Sequence, residues 1–398
     1  MLKLILLIDF GSTYTKLTAI DIQKEEIVAT AKAPTTVNTH IMEGLNNGLT
    51  LLYNKLNGEK YEIVEKLASS SAAGGLKMDA VGLVPELTVE AAKKAVLNAG
   101  AKLVGCYSYK LQKEDIEMII KGKSDIILLV GGTDGGNSDI IIHNANMIAN
   151  SKISAPVVLA GNRECKEEIR ELFKSHDKDL VVTENVMPVV NKLNIIPVRE
   201  EIRKIFIDRI IKANGIKEAE EYVDKILMPT PTAVLQAAKL LADGIEGEPG
   251  IGNLIVVDVG GATTDVHSIA SGKPSRSGMI PKGLPEPYEK RTVEGDIGVR
   301  YNANSIIENL GMEKFTAQIG ATSDSVIEWV KKISANKGIL PANNDEDLID
   351  KGLTYNAVKI SVARHAGYTE THYTPMGVVY ALYGKDLSQV HNVIGTGG

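Results

Sequence analysis

The chain has 398 residues, 44% of them hydrophobic and 24% charged, with a formal net charge of −6. That length is too great for one core of ordinary size, so two or more domains are expected, and the negative balance argues against a general basic face for nucleic acid. Its two cysteines, Cys106 and Cys165, form no CxxC pair; a zinc site or disulfide framework is unsupported, and both read as reduced, buried thiols of a cytoplasmic protein.

The chain opens with "LKLILLIDF", a continuous apolar run with the pattern of a strand buried on both faces. It is too short to span a bilayer and lacks a small-residue cleavage site, so neither a membrane segment nor a signal peptide is expected. "YTKLTAIDI" and "EEIVATAKAP" follow as strands with a turn near Gln23, which makes an antiparallel meander. "TVEAAKKAVLNAG" predicts a helix capped by Thr88 and stopped by Gly100. "DIILLV", "APVVLAG" and "DLVVTENV" are short buried strands, with a helical stretch around residues 140–150. This middle region, about 61–190, predicts an α/β insert of parallel βα units. Residues 200–225 have a helical pattern with Ile202, Ile205, Phe206, Ile210 and Ile211 on one face, ended by Pro229 and Pro231. A further helix covers 230–244, "GEPGIGN" is a linker, and "NLIVVDVGG" is another buried strand.

Residues 4–16, "LILLIDFGSTYTK", and 254–266, "LIVVDVGGATTDV", share one plan. Each is an apolar strand, then Asp-x-Gly, then small or hydroxyl residues, then a second strand. This internal duplication predicts two related lobes, 1–245 and 246–398, with a ligand cleft between them. The chemistry of the loops suits a polyphosphate. Gly11 and Gly260 let the backbone turn tightly. Ser12 and Thr13, and Gly261, Ala262, Thr263 and Thr264, offer N–H groups and hydroxyls to an anion. Asp9 and Asp258 would repel phosphate directly, and make sense if each holds a Mg²⁺ through water. Lys16 adds a positive charge near the terminal phosphates, and is expected to pair with Asp9 or Asp258 when no nucleotide is bound.

These motifs resemble the superfamily of actin, sugar kinases and DnaK-type heat-shock ATPases. Residues 9–16 resemble its first phosphate motif and 258–265 its second. Pro231 to Val234, opening a helix, resembles its connecting helix. Gly395, Thr396, Gly397 and Gly398, after Val393 and Ile394, resemble its adenosine motif. The resemblance implies a two-lobed actin-like ATPase fold of duplicated ribonuclease H-like domains, with ATP and Mg²⁺ as ligands. In that superfamily further helices follow the adenosine glycines, so a chain ending at Gly398 reads as truncated, with an incomplete adenine pocket. "ASSSAAGGLKM", "AVGLVPELT", "LLVGGTDGGN", "DVGGATTDVHS" and "VEGDIGVRYNA" are similar, more narrowly, to the glutamate mutase accessory family called GlmL or MutL. Membership would imply a slow, chaperone-like ATPase that reactivates an adenosylcobalamin-dependent mutase, with that mutase's subunits as partners. Direct cobalamin binding is not expected, since Asp-x-His-x-x-Gly is absent.

Several residues carry alternatives. Asp265 and Asp296 are the candidate catalytic carboxylates, and would serve as the base if the chain were instead a small-molecule kinase of the same superfamily. Asp296 reads equally as a favourable charge at a helix N-terminus. "GGTDGGN" (131–137) is either an anion- or partner-contact loop or a flexible loop at a strand's end. "SSSAAGGL" (69–76) reads as tight packing, and His267, His365 and His372 as structural or surface residues without a metal role.

Overall fold

The computed structural model describes residues 2–11, 13–36, 40–56, 60–71, 76–210, 222–375 and 377–397. Ser12, Ile211, the side chain of Ile210, the later part of the 200–225 helical stretch and Gly398 lie outside the described residues. The chain divides into two compact units, Met1–Val234 and Leu235–Gly398.

In the first unit the elements run β1 (Leu2–Phe10), β2 (Tyr14–Asp21), β3 (Glu26–Pro34), α1 (Ile41–Lys55), β4 (Tyr61–Ser70), β5 (Lys77–Val81), α2 (Glu90–Asn98), β6 (Lys102–Tyr107), α3 (Lys113–Gly122), β7 (Ile126–Leu129), α4 (Asp139–Ala149), β8 (Val157–Leu159), α5 (Lys166–Ser175), β9 (Leu180–Val182), α6 (Ile195–Ile210) and β10 (Lys225–Pro229). The main sheet has the order β10-β4-β1-β2-β3. β1, β2 and β3 form the antiparallel meander, and β4 and β10 extend it in parallel. β1 is not buried on both faces. Leu4, Leu6, Ile8 and Phe10 are buried, whereas Lys3 and Leu7 on the other face are exposed. The run of leucines hid this period of two, because an apolar residue on an open face looks like one in the core.

The insert forms a second sheet, β6-β5-β7-β8-β9, with every strand parallel to its neighbours. Numbered within itself this is the doubly wound order 2-1-3-4-5. Its core joins Ile127, Leu129, Val157 and Leu159 to Ile141, Ile148, Ile169 and Phe173 of the flanking helices. β4, counted with the insert on sequence grounds, belongs instead to the main sheet, where Asp9 stands in register with Ser69. Its charged residues Glu62, Glu65 and Lys66 obscured the strand pattern. Gly100 ends α2 with φ +83 as expected. Thr88, however, does not cap it. Its hydroxyl accepts the N–H groups of Leu83 and Val84, inside a wide turn that precedes the helix.

The second unit begins within α7 (Thr230–Asp243). β11 (Gly244–Ile245), β12 (Glu248–Pro249), β13 (Leu254–Val259), β14 (Thr264–Ile269), β15 (Met279–Lys282), β16 (Glu289–Glu294), α8 (Ala303–Leu310), α9 (Met312–Ile319), α10 (Ser323–Ala335), α11 (Asn344–His365), β17 (Tyr368–Thr374), β18 (Gly377–Tyr383) and β19 (Asn392–Gly397) follow. Its sheet runs β16-β14-β13-β19, with β13, β14 and β16 antiparallel and β19 parallel to β13. Thus β16, β14, β13 and β19 repeat β3, β2, β1 and β4 in order and direction. One face, with Val257 and Val266, packs on Ile306, Phe315, Trp329 and Leu353 of the helices. Among the described residues no helix is long and apolar enough to cross a membrane.

Candidate functional site

The two hairpins close in the same way. The N–H of Gly11 donates to the Tyr14 carbonyl at 3.1 Å, and that of Gly260 to the Thr263 carbonyl at 2.8 Å. A Cβ on Gly11 would stand 2.6 Å from the Tyr14 oxygen, and one on Gly260 2.9 Å from the Thr263 oxygen. Glycine is therefore required at both turns. The next threonine is fully buried in each and anchors the hairpin to its neighbour. Thr15 bonds the Thr35 hydroxyl at 3.0 Å, and Thr264 donates to the Ile297 carbonyl at 2.7 Å.

In the second hairpin the carbonyls are committed. Those of Gly260 and Gly261 accept backbone N–H groups of Val299, Arg300 and Tyr301, and that of Ala262 accepts the Asn302 side chain. Among the described residues the N–H groups of Gly261, Ala262 and Thr263 have no acceptor. A turn whose carbonyls are tied back and whose N–H groups stay available has the polarity of an anion nest. Gly395, Thr396 and Gly397 lie on β19 beside this turn, with Asp258 in register with Thr396. A Cβ on Gly397 would come within 2.7 Å of Asp258 Oδ1, so the adenosine-type glycines and the second hairpin meet in one unit. Asp258 is half-buried and stands opposite Asp265.

In the first hairpin, Asp9 Oδ1 accepts the Thr230 hydroxyl at 2.6 Å and the Ser69 hydroxyl at 3.3 Å. Neither donor belongs to the hairpin, and both fix the carboxylate. Lys16 is in register with Asp9, but its side chain is exposed and no ion pair joins the two among the described residues. The expected pairing with Asp9 is not made, because an exposed ammonium is hydrated and needs no partner.

Asp265 is buried. Arg291 places Nε 2.7 Å and Nη2 2.6 Å from its Oδ1, while the Thr263 hydroxyl lies 3.5 Å from Oδ2. Asp296 is exposed, 3.9 Å from Arg364, whose firmer partner is Glu294 at 2.6 Å. It is not in a helix N-terminus, since α8 starts only at Ala303 with Asn302 before it. His267 is wholly buried with neither ring nitrogen hydrogen-bonded among the described residues. Burial, reinforced by Arg291, pushes its pKa from 6.5 down to about 3. His365, also buried, is held by Ser268 and Thr292 at 2.8 Å each, and burial, with Lys290 and Lys385 nearby, lowers its pKa as well. His372 is exposed near Glu370. Cys165 is buried, but Cys106 is exposed on its strand, contrary to the expectation for both thiols.

The 131–137 loop is tightly held. Asn162 Oδ1 accepts the Gly135 N–H and its Nδ2 donates to the Gly136 carbonyl; Asn185 Nδ2 donates to the Gly132 carbonyl and to Asp134. Both asparagines are buried, so this is a braced edge of the insert. Ser69, Thr230, Arg291 and Asn302 were not singled out by sequence reasoning. Ser69 lies in a run read as packing; the others are 221, 26 and 40 residues from the groups they hold, and nothing local marks them.

The profile of the MutL protein family matches residues 5–398. The chain is 51% identical to Protein MutL of Clostridium tetanomorphum over 393 residues, covering 99% of this chain and 85% of that one. The chain belongs to the MutL family. Solved structures with some likeness include xylulose kinase of Bifidobacterium adolescentis, at 10% identity, TM-score 0.29, 100% of this chain and 85% of that one. A Ppx/GppA family member of Aquifex aeolicus has 10% identity, TM-score 0.24, and coverage of 96% and 94%. At such scores the likeness itself carries no weight. The α/β fold is read from the chain's own sheets, whose strand order repeats between the two units. In this MutL-family chain the repeat places one Asp-x-Gly hairpin in each unit.

The donor set fits a metal carried mainly by water and phosphate. Among the described residues no three His, Cys, Asp or Glu side chains converge as a metal site. Asp9 is oriented by two hydroxyls on one oxygen. Single carboxylates of this kind suit Mg²⁺, which keeps several waters.

Proposed function

We propose that this MutL-family chain binds Mg-ATP through its two hairpins and serves as an accessory, reactivating ATPase for an adenosylcobalamin-dependent mutase, with glutamate (methylaspartate) mutase as the first candidate. One observation carries the ATP reading. The same glycine-closed turn occurs in both units, and in the second, among the described residues, the N–H groups of Gly261, Ala262 and Thr263 have no acceptor while the carbonyls of Gly260, Gly261 and Ala262 each have a donor. Gly11 and Thr13 in one hairpin, and Gly260, Gly261, Ala262 and Thr263 in the other, are the phosphate-binding residues. Thr264 supports the second turn from beneath, Gly395 and Gly397 leave room for the nucleoside, and Lys16 is the cation for the terminal phosphates. Asp9 and Asp258 would hold Mg²⁺ through water. Mg²⁺ would neutralise phosphate charge; everything else on this list is done by the chain's own groups. The mutase assignment rests on family membership, and the braced 131–137 edge of the insert is a rigid surface for a partner.

Calorimetric titration of ATP tests the first part. Asp9→Asn is expected to weaken Mg-ATP binding about 10- to 100-fold and to change binding in EDTA much less. Equal losses in both conditions would mean that Asp9 only shapes its loop. For the second part, mutase subunits are offered to the immobilised chain with and without ATP. Retention in neither state would remove the mutase as partner.

A further inference from the structure

Asp258 and Asp265 face each other across β13 and β14. Directly opposed like charges destabilise a strand pair, so this arrangement needs compensation. Arg291, on the neighbouring β16 and 4% exposed, supplies it to Asp265, which is 7% exposed. The grip is one-sided. Nε and Nη2 both close on Oδ1, at 2.7 and 2.6 Å, and among the described residues Oδ2 keeps only the Thr263 hydroxyl, at 3.5 Å. A buried ion pair seldom stabilises more than apolar residues of the same volume, so stability alone does not explain this one. It does stop the carboxylate from rotating and leaves Oδ2 on the side of the phosphate-type turn.

We propose that Arg291 is the positioning residue of the second hairpin. It aims Asp265 Oδ2 at the turn, where that oxygen accepts a hydrogen bond from water on the nucleotide's Mg²⁺. Asp265 is then a metal-water acceptor and not the base it would be in a small-molecule kinase. This assignment rests on the Mg-ATP reading above.

The test titrates ATP, with Mg²⁺ and again in EDTA, into the wild-type chain, Arg291→Lys, Arg291→Gln, Asp265→Asn and the Arg291→Lys/Asp265→Asn double variant. Unfolding curves establish that each is folded; if Arg291→Gln is not, Arg291→Lys, which keeps the charge but loses the fork, carries the test. Arg291→Lys and Asp265→Asn are each expected to weaken Mg-ATP binding about tenfold and to leave binding in EDTA within about twofold, the scale of an outer-shell loss. The double variant is expected to bind no more weakly than Asp265→Asn, because the two residues act as one unit. Equal losses with and without Mg²⁺, or losses that add, would overturn the positioning role and leave a purely structural pair. Failure of the wild-type chain to bind Mg-ATP is a separate result, and it would overturn the reading beneath.

Discussion

Seven residues after its aspartate, the first hairpin carries Lys16 and the second Asp265. Their surroundings differ as much as their charge. Lys16 is exposed and, among the described residues, makes no ion pair with its cross-strand neighbour Asp9, while Asp265 is buried and held through Oδ1 by Arg291. The strands behind them differ too. β1 is open on one face, whereas β13 is buried at Leu254, Ile255, Val256 and Val257 in succession. One backbone turn has thus been fitted with a hydrated cation in one unit and a fixed anion in the other. An exposed charge is free to move to a ligand, while a buried one must be held where it will act.

The largest effect that bears on this contrast concerns stability. Asp265→Ala is expected to cost the second unit about 3–5 kcal/mol, because it strips a carboxylate from a buried guanidinium. Lys16→Ala should stay within about 0.5 kcal/mol. Urea unfolding followed by the fluorescence of Trp329, the chain's one tryptophan and buried in the second unit, reads the former; circular dichroism reads the latter. Similar costs for both would break the contrast.

Ligand affinity sharpens it next. Lys16→Met is expected to weaken ATP binding by about 1–3 kcal/mol, with less effect on AMP. A flat ATP result would remove Lys16 from the phosphate site and leave it as surface charge.

The third comparison uses pH. His267 occupies in β14 the place that Thr18 has in β2. Its folded pKa, about 3, lies below the ordinary 6.5, so the unfolded chain binds the proton better. The stability contributed by neutral His267 is complete above pH 6.5 and is lost as pH falls from there towards 3, with a slope of up to about 1.4 kcal/mol per pH unit. His267→Thr should reduce that slope in Trp329-monitored unfolding between pH 7.5 and 5, and His365 should retain the remainder. An unchanged slope would mean that acid sensitivity arises elsewhere.

The smallest effect is local. Thr230→Val deletes the shorter of the two bonds to Asp9 and is expected to cost about 1 kcal/mol, measured by thermal unfolding. No change would assign the orientation of Asp9 to Ser69.

The hairpins were legible before any coordinates, because a strand, an Asp-x-Gly turn and a second strand are contiguous in the chain and occur twice. In the insert β7, β8 and β9 were legible for the same reason, each being a short apolar run with turn residues at its ends, whereas β5, with Asp79 inside it, and β6 were not read as strands. Much of what equips the site was not. Thr230 meets Asp9 across 221 residues and Arg291 meets Asp265 across 26, and neither sits in a pattern of its own. The leucine run of β1 concealed an open face, and the charges of β4 concealed a strand of the main sheet.

What the sequence determined by itself was the local chemistry: where the backbone turns, where glycine is required, and which side chains lie within a few residues of each turn. Family membership also lay in the sequence, over residues 5–398. The tertiary structure alone decided which charges are buried and which hydrated, that Asp9 is held by hydroxyls from two other elements, and that Asp265 is clamped through one oxygen. Those outcomes depend on which strands become neighbours in a sheet. Strand neighbours are chosen by the burial of whole faces, and no short stretch of chain contains that information.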